Sequence, residues 1–301
     1  MSSKRRPSPS TIYMLFSVLS ITLSNFFAKI SLDGLSVYAT VLIRFSIPFL
    51  ILVFIVIIFQ TPVQLQFSCI KLNIIRAISL TFSQILLFIS MRKLPLSEAV
   101  ILYNMGPIII TLFSIFLGYK AKQKEWFGLT FGTVGLLIIC HVQNGIFSHY
   151  ILYGFLSGVC FSISQMSLYA SIKKQSNFSI MLSLYFFTTL ISSVLYLFFD
   201  KIPMDIGVFK YPLVVILFLV GSCSLLNQYF RGKAYKEAPS PSSLAPLIYF
   251  SVIFSGILDF LFFRLLPDTQ SIIGCLLIFT GSYITFSAFS DNQSNIDNEK
   301  N

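Results

Sequence analysis

The chain has 301 residues, of which 55% are hydrophobic and only 11% are charged, and its formal net charge is +10. A soluble domain usually carries about 25% charged residues, so this composition excludes an ordinary water-soluble protein. The basic residues lie in short segments between apolar runs and form no basic stripe. This distribution excludes a nucleic-acid-binding protein and is typical of membrane orientation signals. We therefore predict an integral membrane protein whose solvent is the lipid bilayer.

Ten apolar runs follow one another along the chain, and each can cross a hydrocarbon core of about 30 Å as an α-helix. A β-barrel is excluded, because its strands are shorter and alternate polar with apolar residues. The first run is too long for the hydrophobic region of a signal peptide and has no small-x-small cleavage site after it. We predict an uncleaved first helix in an all-α fold. The ten predicted spans are residues 11–29, 37–59, 72–91, 96–118, 125–142, 150–171, 178–199, 211–230, 243–264 and 271–290.

Lysine and arginine residues are concentrated on one side of this ten-helix arrangement. With the N-terminus inside, far more of them fall at inner than at outer helix ends, and these inner positions include Arg76 and a short basic loop, Arg231 to Lys236. Cytoplasmic loops carry such an excess. We predict that residues 1–10 and a polar tail, residues 291–301, are both cytoplasmic, in a bacterial inner membrane.

Landmarks of the first half recur in the second half, which indicates an internal duplication. Leu94-Pro95-Leu96-Ser97 opens one apolar run, and Ala238-Pro239-Ser240 opens another. A glycine pair seven residues apart follows in each half and lies on one helix face. These pairs are Gly128 with Gly135 and Gly274 with Gly281.

The duplication predicts the architecture of the whole chain. The two repeats are residues 11–142 and 150–290, with five helices each. Because five is an odd number, the second repeat must enter the membrane with inverted orientation. Inverted repeats are the architecture of alternating-access carriers.

The order and spacing of small and polar residues resemble those of one transporter family. The first-repeat residues are Ser24-Asn25-Phe26-Phe27, Lys29, Arg44-Phe45, Leu94-Pro95-Leu96, Pro107, Trp126, Gly128 and Gly135. The second-repeat residues are Gln228-Tyr229, Ala234, Ala238-Pro239-Ser240, Ala245-Pro246, Tyr249, Pro267-Asp268, Gly274 and Gly281. Together they resemble the EamA-domain branch of the drug/metabolite transporter superfamily over almost all of residues 11–290.

The resemblance implies a carrier of small organic metabolites, acting in uptake or export. The branch that takes up S-adenosylmethionine is similar in layout, but no motif assigns the chain to it. The chain departs from the family pattern at Tyr119 and Leu265, where an acidic residue is common. This departure bears on gating or coupling rather than on the helical architecture.

Four charged residues fall in the outer half of the predicted helices: Lys29, Arg44, Glu98 and Asp259. Charges at this depth are costly and usually face a cavity. We predict an outer-vestibule charge network that opens and closes. The alternatives are a structural pairing for Arg44, and contact with interfacial water for Lys29 and Asp259. If burial raises the pKa of Glu98, it can couple transport to protons; if the neighbouring cations dominate, it stays ionised.

Uncharged polar residues supply candidates for the lining of a central cavity. An amide in hydrocarbon must find a partner or water, and it can also hold helices together. Tyrosine can stack on a planar ligand or donate a hydrogen bond. The amides are Gln84, Asn104, Gln165, Asn227 and Gln228, and the tyrosines are Tyr103, Tyr169 and Tyr249.

These observations favour a secondary transporter with a small-molecule metabolite as substrate. No P-loop occurs, and no cysteine or histidine cluster has metal-ligand spacing, so we predict no cofactor. A membrane-embedded lipid enzyme would need paired catalytic groups at one depth. A non-transporting scaffold or subunit would have no use for Arg44 and Glu98 within the membrane. A coupling ion, a counter-substrate and a homodimer stay open.

Overall fold

The computed structural model describes residues 9–60, 69–105, 149–172, 174–200, 211–237, 245–248 and 250–265, with separate positions in 109–138 and 269–284. Its described residues form α-helices and no strand. A further apolar helix, Ile272–Gly281, is described in part. The helices are α1 (Pro9–Ser31), α2 (Val37–Phe59), α3 (Ile70–Met91), α4 (Leu96–Tyr103), α5 (His149–Ile172), α6 (Asn177–Phe199), α7 (Tyr211–Glu237), α8 (Ala245–Ile248) and α9 (Phe250–Phe263).

Six of these helices are long and apolar enough to cross a membrane: α1, α2, α3, α5, α6 and α7. At 1.5 Å per residue, 22 residues reach about 33 Å. Their outer faces expose large apolar side chains such as Leu197 and Phe198, which suit lipid rather than water. The all-α, multi-pass membrane fold is thus confirmed. Much of each of the predicted spans 96–118, 125–142 and 271–290 lies outside the described residues.

The prediction of a basic loop from Arg231 to Lys236 is wrong, because α7 continues through these residues to Glu237. Arg, Lys and Ala are good helix formers, and Ala234 and Tyr235 are buried. The glycine at position 232 allows α7 to pack closely against the start of α6. A Cβ at this position would overlap the side-chain amide of Asn177 at the start of α6.

The helices pack in a repeating set of pairs. α1 lies along α7 and α3 lies along α5, while α2 contacts α6 and α7, and α3 also contacts α6. α4 packs against α5 and α9. Both long pairs are joined by a serine that donates to a backbone carbonyl, Ser24 to Val220 at 2.7 Å and Ser83 to Ser157 at 2.8 Å. Such small polar residues allow close helix approach in membranes.

α2 and α6 begin in the same way. Ser36 precedes α2 and its hydroxyl accepts a hydrogen bond from the Ala39 N–H at 3.0 Å. Ser176 precedes α6 and accepts from the Ser179 N–H at 3.1 Å. Serine is a favoured N-cap because it satisfies a free donor of the first turn. Each helix therefore has a defined start in a chain otherwise dominated by apolar side chains.

Gly158 of α5 allows the backbone of α4 to approach closely. A Cβ there would lie 2.5 Å from the carbonyl oxygen of Leu102, a backbone atom that cannot easily move away. We expect Gly158→Ala to lower the free energy of unfolding by about 1–3 kcal/mol, the usual cost of overpacking. The measurement is thermal unfolding of the purified protein in detergent.

Gly256 of α9 supplies the matched control, because a Cβ there meets no atom within 4 Å. Alanine is also the better helix former. Gly256→Ala should therefore keep or slightly raise the melting temperature. Equal melting temperatures for the two variants would contradict the packing role of Gly158.

Candidate substrate-binding site

Three arginine side chains lie inside the helix bundle, and each is at most 2% exposed. Arg44 comes from α2, Arg76 from α3 and Arg231 from α7. In the described part of the chain, no carboxylate forms a salt bridge with any of them. A buried charge without a counter-charge is strongly unfavourable. The three arginines therefore mark a centre that packing alone does not explain.

Each arginine contacts a neutral oxygen atom of a facing helix. Arg44 Nη1 donates to Asn25 Oδ1 at 2.9 Å. Arg76 Nη2 donates to Gln228 Oε1 at 2.8 Å. The hydrogen bond from Arg231 Nε, at 3.3 Å, goes to the hydroxyl of Ser17, which itself donates to Asn227 Oδ1 at 2.8 Å. These partners orient the guanidinium groups but leave their charge uncompensated.

Two of the three arginines lie against aromatic rings. Arg44 lies 5.3 Å from the ring centroid of Phe88, and Arg231 lies 5.3 Å from that of Phe161. The negative face of an aromatic ring attracts a cation. This attraction offsets only part of the desolvation of a guanidinium, because a ring carries no net charge.

Two buried tyrosines lie among the arginines. The Tyr103 hydroxyl accepts a hydrogen bond from Gln84 Nε2 at 3.3 Å, and its ring lies 4.1 Å from that of Phe161. The Tyr185 hydroxyl donates to the carbonyl oxygen of Ser224 at 2.9 Å. The charges of all three arginines act on Tyr185. The arginines and tyrosines thus form one electrostatic unit.

A narrow cavity of about 10 Å³ borders this unit between α1, α4, α7, α8 and α9. Pockets for drug-sized ligands are usually about 300–1,000 Å³, so the helices must separate before a metabolite can enter. The polar lining residues are Asn25, Tyr103, Asn104, Arg231 and Ser251, and the apolar ones are Val18, Ile21, Val100 and Ile248.

A second charged cluster lies at the start of α4. Lys29 Nζ is 3.5 Å from the Asp259 carboxylate, whose side chain is 2% exposed. That carboxylate also accepts hydrogen bonds from the backbone N–H groups of Leu96 at 3.1 Å and Ser97 at 2.7 Å. Free N–H groups and the helix dipole favour an anion at this end of a helix. Asp259 therefore ties α9 to both α1 and α4.

The other two predicted network residues differ in position. Glu98 is half-buried in the first turn of α4, and its charge acts on Lys29. Arg44 instead pairs with Asn25. The structure thus brings Lys29, Asp259 and Glu98 together and places Arg44 in the arginine centre.

The predicted lining residues fall into several environments. Asn104 donates to Ser251 at the cavity. Gln165 is buried, and neither of its amide atoms has a hydrogen-bond partner in the described part of the chain. Tyr169 is half-buried in α5 and has a partner. Tyr249 lies outside the described residues.

Sequence reasoning missed Arg76 and Arg231 as site residues, because it counted them as charges of the inner membrane surface. For Arg231, the signal that was missed is its spacing from two amide residues of the same helix. Arg231 follows Asn227 and Gln228 by four and three residues, so all three share one face of α7.

Residues 8–140 match the EamA-like transporter family. A pseudopaline exporter of Pseudomonas aeruginosa is 24% identical over 225 residues, which are 73% of this chain and 76% of the relative. An S-adenosylmethionine uptake transporter of Rickettsia felis is 21% identical over 210 residues, 68% of each chain. A solved crystal structure has the same fold, with a TM-score of 0.66, 16% identity, and coverage of 93% of this chain and 96% of the other.

Proposed function

We propose that this chain, which is an EamA-type transporter, moves a small organic metabolite across the bacterial inner membrane as a secondary carrier. The observation that carries the proposal is the polar centre inside the membrane-spanning bundle. Its arginine, tyrosine and amide groups come from α1, α2, α3, α4 and α7 and converge beside one cavity. Intramembrane polar groups at a helix interface are typical of a substrate pathway.

Two inverted five-helix repeats, residues 11–142 and 150–290, are part of this proposal. Under this assignment α1, α2 and α3 correspond to α5, α6 and α7. The α1–α7 contact then corresponds to the α5–α3 contact, and both pairs are present. The matching serine N-caps of α2 and α6 support the same correspondence.

The small cavity and the Asp259 cluster support alternating access as the mechanism of this proposal. With both termini in the cytoplasm, as the distribution of basic residues favours, the start of α4 and the end of α9 lie on the outer side. The contacts of Asp259 with Lys29, Leu96 and Ser97 then close the outer entrance. Breaking them would allow the two helices to separate and admit the substrate.

The transport experiment must determine both the direction of transport and the species to which transport is coupled. The two relatives above are named for export in one case and for uptake in the other, so both directions are measured. Glu98 is our candidate for a proton-coupled group, because it is half-buried beside the Lys29–Asp259 pair. The alternative coupled species are an ion other than the proton and a counter-substrate. A homodimer is an alternative to a monomeric carrier.

The experiment is transport by the purified protein in liposomes. Metabolites that raise its melting temperature are selected first, because a ligand of the folded state stabilises it by mass action. We expect saturable movement of such a metabolite, and a proton gradient should increase its accumulation in wild type but not in Glu98→Gln. Metabolites that bind without crossing the membrane in either direction would contradict the transport proposal.

A further inference from the structure

The described charges inside the bundle do not balance. The carboxylate of Asp259 is engaged by Lys29 and by the start of α4, and Glu98 lies in the first turn of the same helix. The arginine centre, Arg44 with Arg76 and Arg231, has no carboxylate partner in the described part of the chain. The centre is therefore positively charged inside the bundle, with no counter-charge among the described residues.

The arginine centre also has more hydrogen-bond donors than acceptors. A guanidinium group presents five N–H donors. Nε and Nη1 of Arg76 are buried and have no hydrogen-bond partner among the described residues. Buried donors of native proteins are normally satisfied. These unfilled positions call for a ligand that is rich in acceptor atoms.

Residues of α7 connect two of the arginines. Gln228 and Arg231 lie one turn apart on α7, and Gln228 holds Arg76 through its side-chain oxygen at 2.8 Å. Arg231 borders the cavity beside Asn25 and Tyr103. A molecule in the cavity thus meets the guanidinium of Arg231 directly, and the charge of Arg231 acts on Arg76.

We propose that the arginine centre binds the oxyanion group, a carboxylate or a phosphate, of the transported metabolite. The inference rests on the transport function proposed above and specifies the chemical class of its substrate. Guanidinium groups bind planar carboxylates and phosphates through two parallel hydrogen bonds. An oxyanion supplies both the negative charge and the acceptors that the centre lacks, and Tyr103 and Asn104 remain to contact the rest of the molecule.

The test compares anions with uncharged molecules of similar shape. Purified protein is heated with succinate, succinamide, glycerol 3-phosphate or glycerol at constant ionic strength. We expect succinate or glycerol 3-phosphate to raise the melting temperature in a saturable way, and the uncharged counterparts to leave it unchanged. Ligand binding to the folded state produces this concentration dependence.

Variants on the same two helices connect the effect to the arginines. Arg76→Gln and Arg231→Gln should weaken the apparent affinity for the anion at least tenfold. Lys71→Gln on α3 and Lys236→Gln on α7 remove an equal charge from exposed positions and should leave it unchanged. If Arg76→Gln does not fold, Arg76→Lys keeps the charge without the two-pronged geometry and should still weaken binding.

Three results would overturn the anion site: no stabilisation by either anion, equal stabilisation by the uncharged molecules, or full affinity in both arginine variants. The transport proposal fails separately. Anion binding without transport would contradict the carrier function but not the anion site. Transport of an uncharged or cationic metabolite by Arg76→Gln at the wild-type rate would contradict the anion site but not the carrier function.

Discussion

Asp259→Asn should open the proposed outer entrance and raise the accessibility of the first turn of α4. The substitution removes a buried charge that contacts Lys29 and accepts two backbone hydrogen bonds. Hydrogen bonds to charged groups contribute about 1.5–3 kcal/mol each. The loss of one such contact is enough to shift a closed–open equilibrium at least tenfold.

Cysteine labelling measures this shift. Ala99 of α4 is fully buried, and cysteine is close to alanine in size, so Ala99→Cys in a cysteine-free background reports on opening. A membrane-impermeant maleimide added outside should react at least ten times faster when Asp259→Asn is also present. Asp33→Asn is the control, because Asp33 follows the same end of α1 and is exposed.

Two results would count against this account. Unchanged labelling in Asp259→Asn would show that its contacts do not close an entrance. Faster labelling from the cytoplasmic side alone would place the cluster at the inner surface and contradict the proposed orientation. In that case the distribution of basic residues would have given the wrong direction for the whole chain.

The long helices could be predicted from the sequence because each is an uninterrupted apolar run with polar residues at its ends. The predicted 37–59 and the observed Val37–Phe59 coincide. The end of α7 could not be predicted in this way. Arg231 and Lys236 look alike as charges in a sequence, but one is buried and the other exposed. Only the position of α1 against α7 distinguishes them.

In the candidate site, too, the sequence predicted some features and not others. The predicted residues Tyr103 and Asn104 line the cavity in the structure, since a polar pair in an apolar helix must find polar surroundings. Arg44 was grouped with Lys29 by depth alone. α2 is hydrophobic on all sides, so its sequence gives no preferred face. Depth could be read from residue numbers, whereas the direction of the side chain required the contacts of Arg44 with Asn25 and Phe88.

Arg44→Gln should reduce transport about 100-fold while the protein still inserts into the membrane and folds. Arg44 is 1% exposed, donates to Asn25 and has no carboxylate partner in the described part of the chain. A charge-assisted hydrogen bond contributes about 1.5–3 kcal/mol, and 1.36 kcal/mol corresponds to a factor of ten in rate. The measurement is initial-rate transport in liposomes at matched protein content.

Thermal stability separates a functional from a structural role for Arg44. Removing a buried charge that has no counter-charge relieves its desolvation cost, so Arg44→Gln should melt at the wild-type temperature or above it. Arg44→Lys should retain part of the transport, because it keeps the charge but not the planar guanidinium. Arg92→Gln is the control, since Arg92 is an exposed arginine whose side chain donates to the Leu35 carbonyl oxygen at 3.3 Å. A lower melting temperature in Arg44→Gln, with transport reduced only in proportion to the folded protein, would make Arg44 a structural residue. Loss of transport at unchanged or increased stability is expected only if Arg44 acts on the substrate, which then offsets the unfavourable free energy of burying this charge.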